Sequence, residues 1–372
     1  MLKQGILTVL VLSVFFSCAK TSKIQRLNSV VEQTGEKYAA DSRVEVWDVT
    51  GELDGNGITV GGETTSPEGL EALKISLGNT FPNTQKRYDV IVLPDPALED
   101  ETSGLIRVGI AQVRREPSHQ SELITQGVLG APVTLLKKSE DHYYIRMEDG
   151  YLGWVDTFSV VTGDSEMISD WNTSSLAVFK ETHGTVLTEP MASSATVADI
   201  LLGARVQVRD RSPRWAFVGL PDGRMGFVPR DDLIPMEDFR KMEPSHDGIA
   251  NQAKELLGVS YLWGGTTSAG FDCSGFTQTV YRMNGIHLPR DANMQVNRGV
   301  EIDTSNGLAS LHVGDLLFFG SEPGKITHVG ILLGNQEFIH ASGMVKINSL
   351  DPEASNYNKY RHNTLQTVKR LF

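Results

Sequence analysis

The sequence predicts a multidomain chain: a small α+β region, then two small all-β barrels of one kind, then a larger α+β domain. Three observations predict it. At 372 residues the chain is too long for one ordinary domain. Its middle repeats itself at a constant offset of 73 positions: Val113 matches Val186, Pro117 matches Pro190, Gly130 matches Gly203, Asp149-Gly150 matches Asp222-Gly223, Gly153 matches Gly226 and Val155 matches Val228. Past position 245 the short alternating runs give way to helical spacing followed by longer apolar strands.

The hydrophobic fraction of 40% and the charged fraction of 22% are those of a folded globular protein. A net charge of -12 gives no footprint for nucleic acid, whose phosphates are neutralised by clustered Lys and Arg. Nucleic acid is therefore excluded as a partner.

The N-terminus combines Lys3, an apolar run from Gly5 to Phe16 and the small-residue site Ser17-Cys18-Ala19, the layout of a secretion signal over residues 1–18. The run is shorter than the roughly 20 residues that span a bilayer. Ser17-Cys18 resembles a bacterial lipobox, although Phe15 and Phe16 depart from its preferred Leu and small residue. That resemblance implies lipidation of Cys18, export and a membrane anchor. The absence of an acidic run after Cys18 implies, again by resemblance, that the protein faces the periplasm. If Cys18 is acylated, Cys273 is a thiol without a disulfide partner in an oxidising compartment.

Residues 19–104 form the expected small α+β region. Within it Ser66 is placed to cap a helix that has Pro67 at its first position and Leu70, Leu73 and Leu77 at helical spacing. The region could equally be an extension packed on the first barrel. The two repeat copies span 105–162 and 178–235; each has short β-rich runs such as PVTLLKK and RVQVRD between Gly and Asp-Gly turns. Residues 236–245 read as a polar linker. In the last domain, 245–372, Ser245 caps a helix bearing Ile249, Ala253, Leu256 and Leu257, and FDCSGF opens a second helix that ends at Asn284-Gly285. The strands DLLFFG, THVGILLG and EFIHAS follow.

Cys273 falls at the start of that second helix, where unsatisfied N–H groups and the helix dipole favour a thiolate and can hold an oxyanion. A thiol nucleophile needs a base and a group that orients the base. His328 and His340 lie on two apolar runs joined by Gly334-Asn335, so a hairpin places them nearly opposite each other. His119, His183, His246, His287, His312 and His362 are read as satisfied core or surface groups. Cys273, His328 and His340 show none of the paired spacings of a zinc site, and no metal is assigned.

The order FDCSGF, LHVGDLLFFG, THVGI and FIHASG resembles the NlpC-type cell-wall peptidases, which are papain-like cysteine peptidases. The match spans about the last 125 residues. It implies Cys273 as nucleophile, His328 as general base and acid, and His340 as the residue orienting it. Tyr261, Trp263, Asp272 and Ser274 fall at positions that shape the substrate cleft in relatives. Asp272 suits a substrate ammonium and, by capping preference alone, equally suits a helix N-cap. Arg290 and Asp291 also recur in the family, whereas Ala292 stands where several relatives have Ser.

The repeats resemble bacterial SH3-like domains. NlpC-type enzymes with two such domains resemble enzymes that cleave γ-D-glutamyl-diamino acid bonds in peptides with a free N-terminal L-Ala. There an acid and a tyrosine of the first barrel bind the amine, and Glu122 and Tyr151 match them. The second copy has Ala195 and Arg224 at those positions, neither able to bind an ammonium. The expected protein is thus a cysteine peptidase of peptidoglycan-derived peptides, monomeric, lipid-anchored and free of cofactors. Two other readings are an endopeptidase on intact wall with the barrels as binding modules, and a non-catalytic wall-binding lipoprotein.

Overall fold

The computed structural model describes residues 22–305 and 307–372. The expected signal segment, with Cys18, lies outside the described residues. Among the described residues no helix is long and apolar enough to cross a membrane.

The chain divides into two compact units, one ending at Glu99 and one beginning at Asp100. In the first, strands Trp47–Asp54 and Gly57–Thr64 form an antiparallel pair, and helix Pro67–Thr80 crosses over to strand Lys86–Val92, parallel to the middle strand. Ser66 Oγ accepts the Gly69 N–H at 3.1 Å, capping that helix, and Pro67 follows at its first position. Leu70, Leu73 and Leu77 are buried as their spacing predicts. A helix over 22–38, not anticipated from the sequence, adds Leu27 and Val31 to the same core. The unit therefore has a hydrophobic centre of its own.

The second unit opens with two seven-stranded sheets of identical strand order. Strands Ser103–Ile106, Ile110–Arg114, Leu123–Val128 and Leu152–Asp156 recur at Leu176–Phe179, His183–Leu187, Thr196–Leu201 and Met225–Pro229, each 73 positions on. The first sheet begins at Ser103, ahead of the expected boundary, because Ser103 pairs with both Thr134 and Gly163. A helix, Ser165–Thr173, joins the two copies. The segment expected as a linker after 235 is instead a short helix, Met236–Arg240, packed on strands Leu176–Phe179 and Leu233–Pro235, with Met236 buried in an apolar cluster that runs from the barrels into the final domain.

The final domain packs helix Cys273–Arg282 against a six-stranded antiparallel sheet through Phe276 and Val280. Ser245 caps helix His246–Glu255, burying Ile249, Ala253 and Leu256, while Leu257 stays exposed. Strands His328–Gly334 and Glu337–Ser342 form the predicted hairpin, but its turn is Asn335-Gln336, both at positive φ, rather than Gly334-Asn335. That one-place shift sets Ile331 opposite Ile339, so His340 and His328 meet on a diagonal instead of directly across.

Candidate active site

Cys273 is the first residue of its helix, immediately after the N-cap Asp272. Val329 and Ser274 direct backbone N–H groups at its sulfur, placing the thiol against the strand that begins with His328.

The imidazoles of His328 and His340 meet edge-on, with Nε2 of His328 2.7 Å from Nδ1 of His340. Gly330 makes room for this diagonal: an added Cβ there would stand 3.1 Å from the Cβ of His340. Beyond it, His340 Nε2 lies 3.0 Å from Asn348 Oδ1. The Asn348 amide is itself oriented, because its nitrogen donates to the Asn356 carbonyl and its oxygen accepts from Asn358. Asn348 thus accepts from His340 Nε2–H, which leaves His340 Nδ1 as acceptor for His328 Nε2–H. The nitrogen of His328 left without a proton is Nδ1, the atom needed by a base.

Electrostatics set the resting protonation. Burial pushes the Cys273 thiol up to about 11, and the adjoining Asp272 carboxylate adds to the rise. Against this, the backbone N–H groups of Val329 and of Ser274 at the helix start favour the thiolate, as the sequence leads one to expect. Burial holds His328 well below its ordinary 6.5, with Arg361 and His340 adding to the effect. His340 is lowered to about 4, also chiefly by burial. Both shifts run toward the uncharged forms of the thiol and the imidazole. Tyr261, raised to about 12 by burial and by Cys273, keeps its phenolic proton and remains a donor beside the thiol.

The first barrel forms one rim of this region. Glu122 Oε1 accepts the Trp263 indole N–H at 2.7 Å, and Oε2 accepts from Arg115 Nε at 2.7 Å. The Arg115 hydrogen bond, then that of Trp263, holds the Glu122 carboxyl below its ordinary range. Tyr151 donates its phenol to Asp291 Oδ2 at 2.9 Å. Beneath them Gln126 exchanges hydrogen bonds with Thr266 and Thr267 in a buried seam. The YLWGG motif makes that approach possible: Gly264 has φ +75°, and a Cβ there would lie 2.2 Å from the Leu123 carbonyl oxygen.

The sequence-predicted residues divide accordingly. Cys273, His328, His340 and Tyr261 are gathered at one place, and Glu122, Tyr151 and Trp263 at its rim. Asp272 is corrected. Its carboxylate is buried and accepts from the Gly275 and Gly264 N–H groups, from Ser274 Oγ and from the Arg290 guanidinium, leaving nothing for a substrate ammonium. Ser274 is likewise buried, held between Asp272 and Arg290 Nη1 at 3.0 Å. Both hold the start of helix Cys273–Arg282 in place. In the second copy Arg224 donates to the carbonyls of Val197 and Arg107, tying the copies together, and Ala195 offers no polar group.

Three residues were not picked as site residues from sequence. Asn348 had no signal, because Asn is ordinary in such a segment. Asp291 recurs in the family, but no local pattern gives it a partner, because its contact with Tyr151 spans 140 positions. Arg361 sits over the Phe319 ring at 5.6 Å, and Phe319 is the cross-strand partner of His328. Its guanidinium has no ion pair among the described residues, and burial lowers it from its ordinary value.

Residues 258–366 match the NlpC/P60 family, and residues 113–159 match the bacterial dipeptidyl-peptidase Sh3 domain. A γ-D-glutamyl-L-lysine dipeptidyl-peptidase of Bacillus cereus is 30% identical over 235 residues, covering 60% of this chain and 68% of that protein. Dipeptidyl-peptidase 6 of Lysinibacillus sphaericus is 27% identical over 273 residues, covering 71% of this chain and 97% of the relative. The crystal structure of an NlpC/P60 family protein from Bacillus cereus shares the fold, with a TM-score of 0.63 at 23% identity over 72% of this chain and 99% of that one.

Proposed function

Because this chain belongs to the NlpC/P60 family of cysteine peptidases, we propose that it hydrolyses the γ-D-glutamyl-diamino acid bond of peptidoglycan-derived peptides whose N-terminal L-Ala carries a free amine. The observation that carries this reading is the rim where the first barrel meets the catalytic domain. There Glu122 accepts the indole N–H of Trp263, and Tyr151 donates its phenol to a second carboxylate, Asp291. A cationic amine suits such a set, and a peptide still joined to glycan through that nitrogen has no charge to offer it. The names of the two relatives, a γ-D-glutamyl-L-lysine dipeptidyl-peptidase and a dipeptidyl-peptidase, agree with removal of a two-residue unit.

In this reading His328 Nδ1 takes the Cys273 proton as sulfur attacks the γ-carbonyl. The oxyanion is held by N–H groups at the helix start and by the Tyr261 phenol. The imidazolium of His328, steadied by His340 and Asn348, then protonates the leaving amine, and water hydrolyses the thioester. A γ-linked glutamate keeps its α-carboxylate free, and the unpaired Arg361 guanidinium is the cation suited to it.

The test offers L-Ala-γ-D-Glu-diaminopimelate, the same peptide with its amine acylated, and intact sacculi, with products identified by mass. Release of L-Ala-γ-D-Glu from the free peptide alone is expected. Equal release from the acylated peptide or from sacculi overturns the free-amine reading, and turnover by Cys273→Ala overturns the nucleophile. The same proposal anchors the protein by an acyl chain on Cys18, facing the periplasm. Incorporation of labelled palmitate into the wild type but not into Cys18→Ser is expected; an unlabelled wild type rules the anchor out.

A further inference from the structure

On the first barrel, away from Cys273, three side chains far apart in sequence converge: His119 from the loop between two strands, His142 at the start of strand His142–Met147, and Asp156 at the end of strand Leu152–Asp156. One ligand atom from each lies within 4.8 Å of the other two. His142 and Asp156 are direct cross-strand partners, so a rigid sheet sets their spacing. Asp156 is oriented as a ligand would be: Oδ1 accepts the Phe158 N–H at 2.7 Å, leaving Oδ2 3.4 Å from His119 Nε2. The second, independent observation is His142 itself. Its residue is 7% exposed, yet Nε2 is buried with no hydrogen-bond partner. A buried imidazole nitrogen left unsatisfied is destabilising unless something occupies it.

We propose that His119, His142 and Asp156 bind a divalent transition metal of the zinc class. Two imidazoles and one carboxylate are a donor set that zinc accepts, with a fourth position left for water. Ligand atoms held about 2.0–2.2 Å from one tetrahedral metal stand about 3.3–3.6 Å apart, as His119 Nε2 and Asp156 Oδ2 already do at 3.4 Å. His119 can adjust further, since its side chain is 73% exposed on a loop. The site belongs to the first copy alone. At the 73-residue offset the second copy has Ala192, Trp215 and Pro229, none of them a ligand.

The metal acts as a clasp. His119 lies on the same loop as Arg115 and Glu122, and Glu122 holds the indole of Trp263 across the domain boundary. Tying His119 to two strand ends of the barrel fixes the loop that presents Glu122. The bearing of this on substrate rests on the reading of Glu122 given above; the metal site itself does not.

The full chain, stripped with EDTA, is titrated with Co2+ and then Zn2+, following the visible absorption of bound Co2+ and the heat of binding. One equivalent is expected, with Zn2+ displacing Co2+. His119→Ala, on an exposed loop, and Asp156→Asn, which keeps the cap, are each expected to weaken binding by about tenfold or more. No saturable binding, or binding indifferent to His119→Ala, overturns the site. Hydrogen exchange of amides 115–122 is expected to slow on Zn2+ addition in the wild type and not in His119→Ala. Binding without slowed exchange overturns the clasp. Neither readout uses turnover, so both stand if the substrate assignment fails.

Discussion

His340 and Asn348 show what a buried polar relay does for a single proton. Each is placed by the next, and the outcome is one unprotonated nitrogen on His328. Asn348→Ala is expected to lower kcat by about one to two orders of magnitude with little change in KM, because displacing a catalytic group by about 1 Å costs that much. Steady-state kinetics on the free peptide check this; an unchanged kcat removes Asn348 from the relay. The depressed His328 sets a second expectation. In the proposed mechanism its neutral form is the base, so kcat/KM should hold as pH falls to 6.5 and decline only below it. An acid limb at or above pH 6.5 contradicts the assignment. The relay was only partly legible in sequence. Cys273 and both histidines sit in short motifs with recognisable neighbours, whereas Asn348 is identified only by the atoms around it.

Two copies of one barrel carry different duties on the same strand order. Copy one presents Glu122 and Tyr151 to the catalytic domain, and copy two uses the equivalent Arg224 to hold copy one. Glu122→Gln is therefore expected to raise KM for the free peptide several-fold while leaving stability within about 0.5 kcal/mol, as an exposed substitution does. Arg224→Ala is expected to lower stability by about 1 kcal/mol or more through the carbonyls it leaves unpaired, with KM unchanged. Kinetics and urea unfolding of both variants check the division, and a shift in KM for Arg224→Ala breaks it. Gly264 is the joint between barrel and cleft. Gly264→Ala combines a left-handed φ with a clash against Leu123, so a loss of about 1–3 kcal/mol is expected in urea unfolding.

Two imidazoles buried in neutral form couple the stability of the whole molecule to pH. The unfolded chain protonates both near 6.5, whereas folding lowers His328 well below that value and His340 to about 4. Between these limits the unfolded state holds more protons, so their contribution is fully present above pH 6.5 and is lost as pH falls. For His340 that window runs from 6.5 down to about 4 and amounts to about 3 kcal/mol. Urea unfolding of the wild type and of His340→Gln across this range checks it. The wild type should lose stability on acidification and the variant should lose less. Equal slopes contradict it.

By itself the sequence determined what depends on local spacing or on close repetition. The 73-residue offset named the two barrels, Ser66 and Ser245 named helix starts, and FDCSGF placed Cys273 at a helix N-terminus, because caps and periodicity act over a few residues. Only the tertiary structure decided what is shared between distant segments. It spent the Asp272 carboxylate on Arg290, joined Tyr151 to Asp291, and brought His119, His142 and Asp156 together. Hydrogen bonds and ligand geometry are satisfied over about 3 Å in space and carry no preferred separation along the chain.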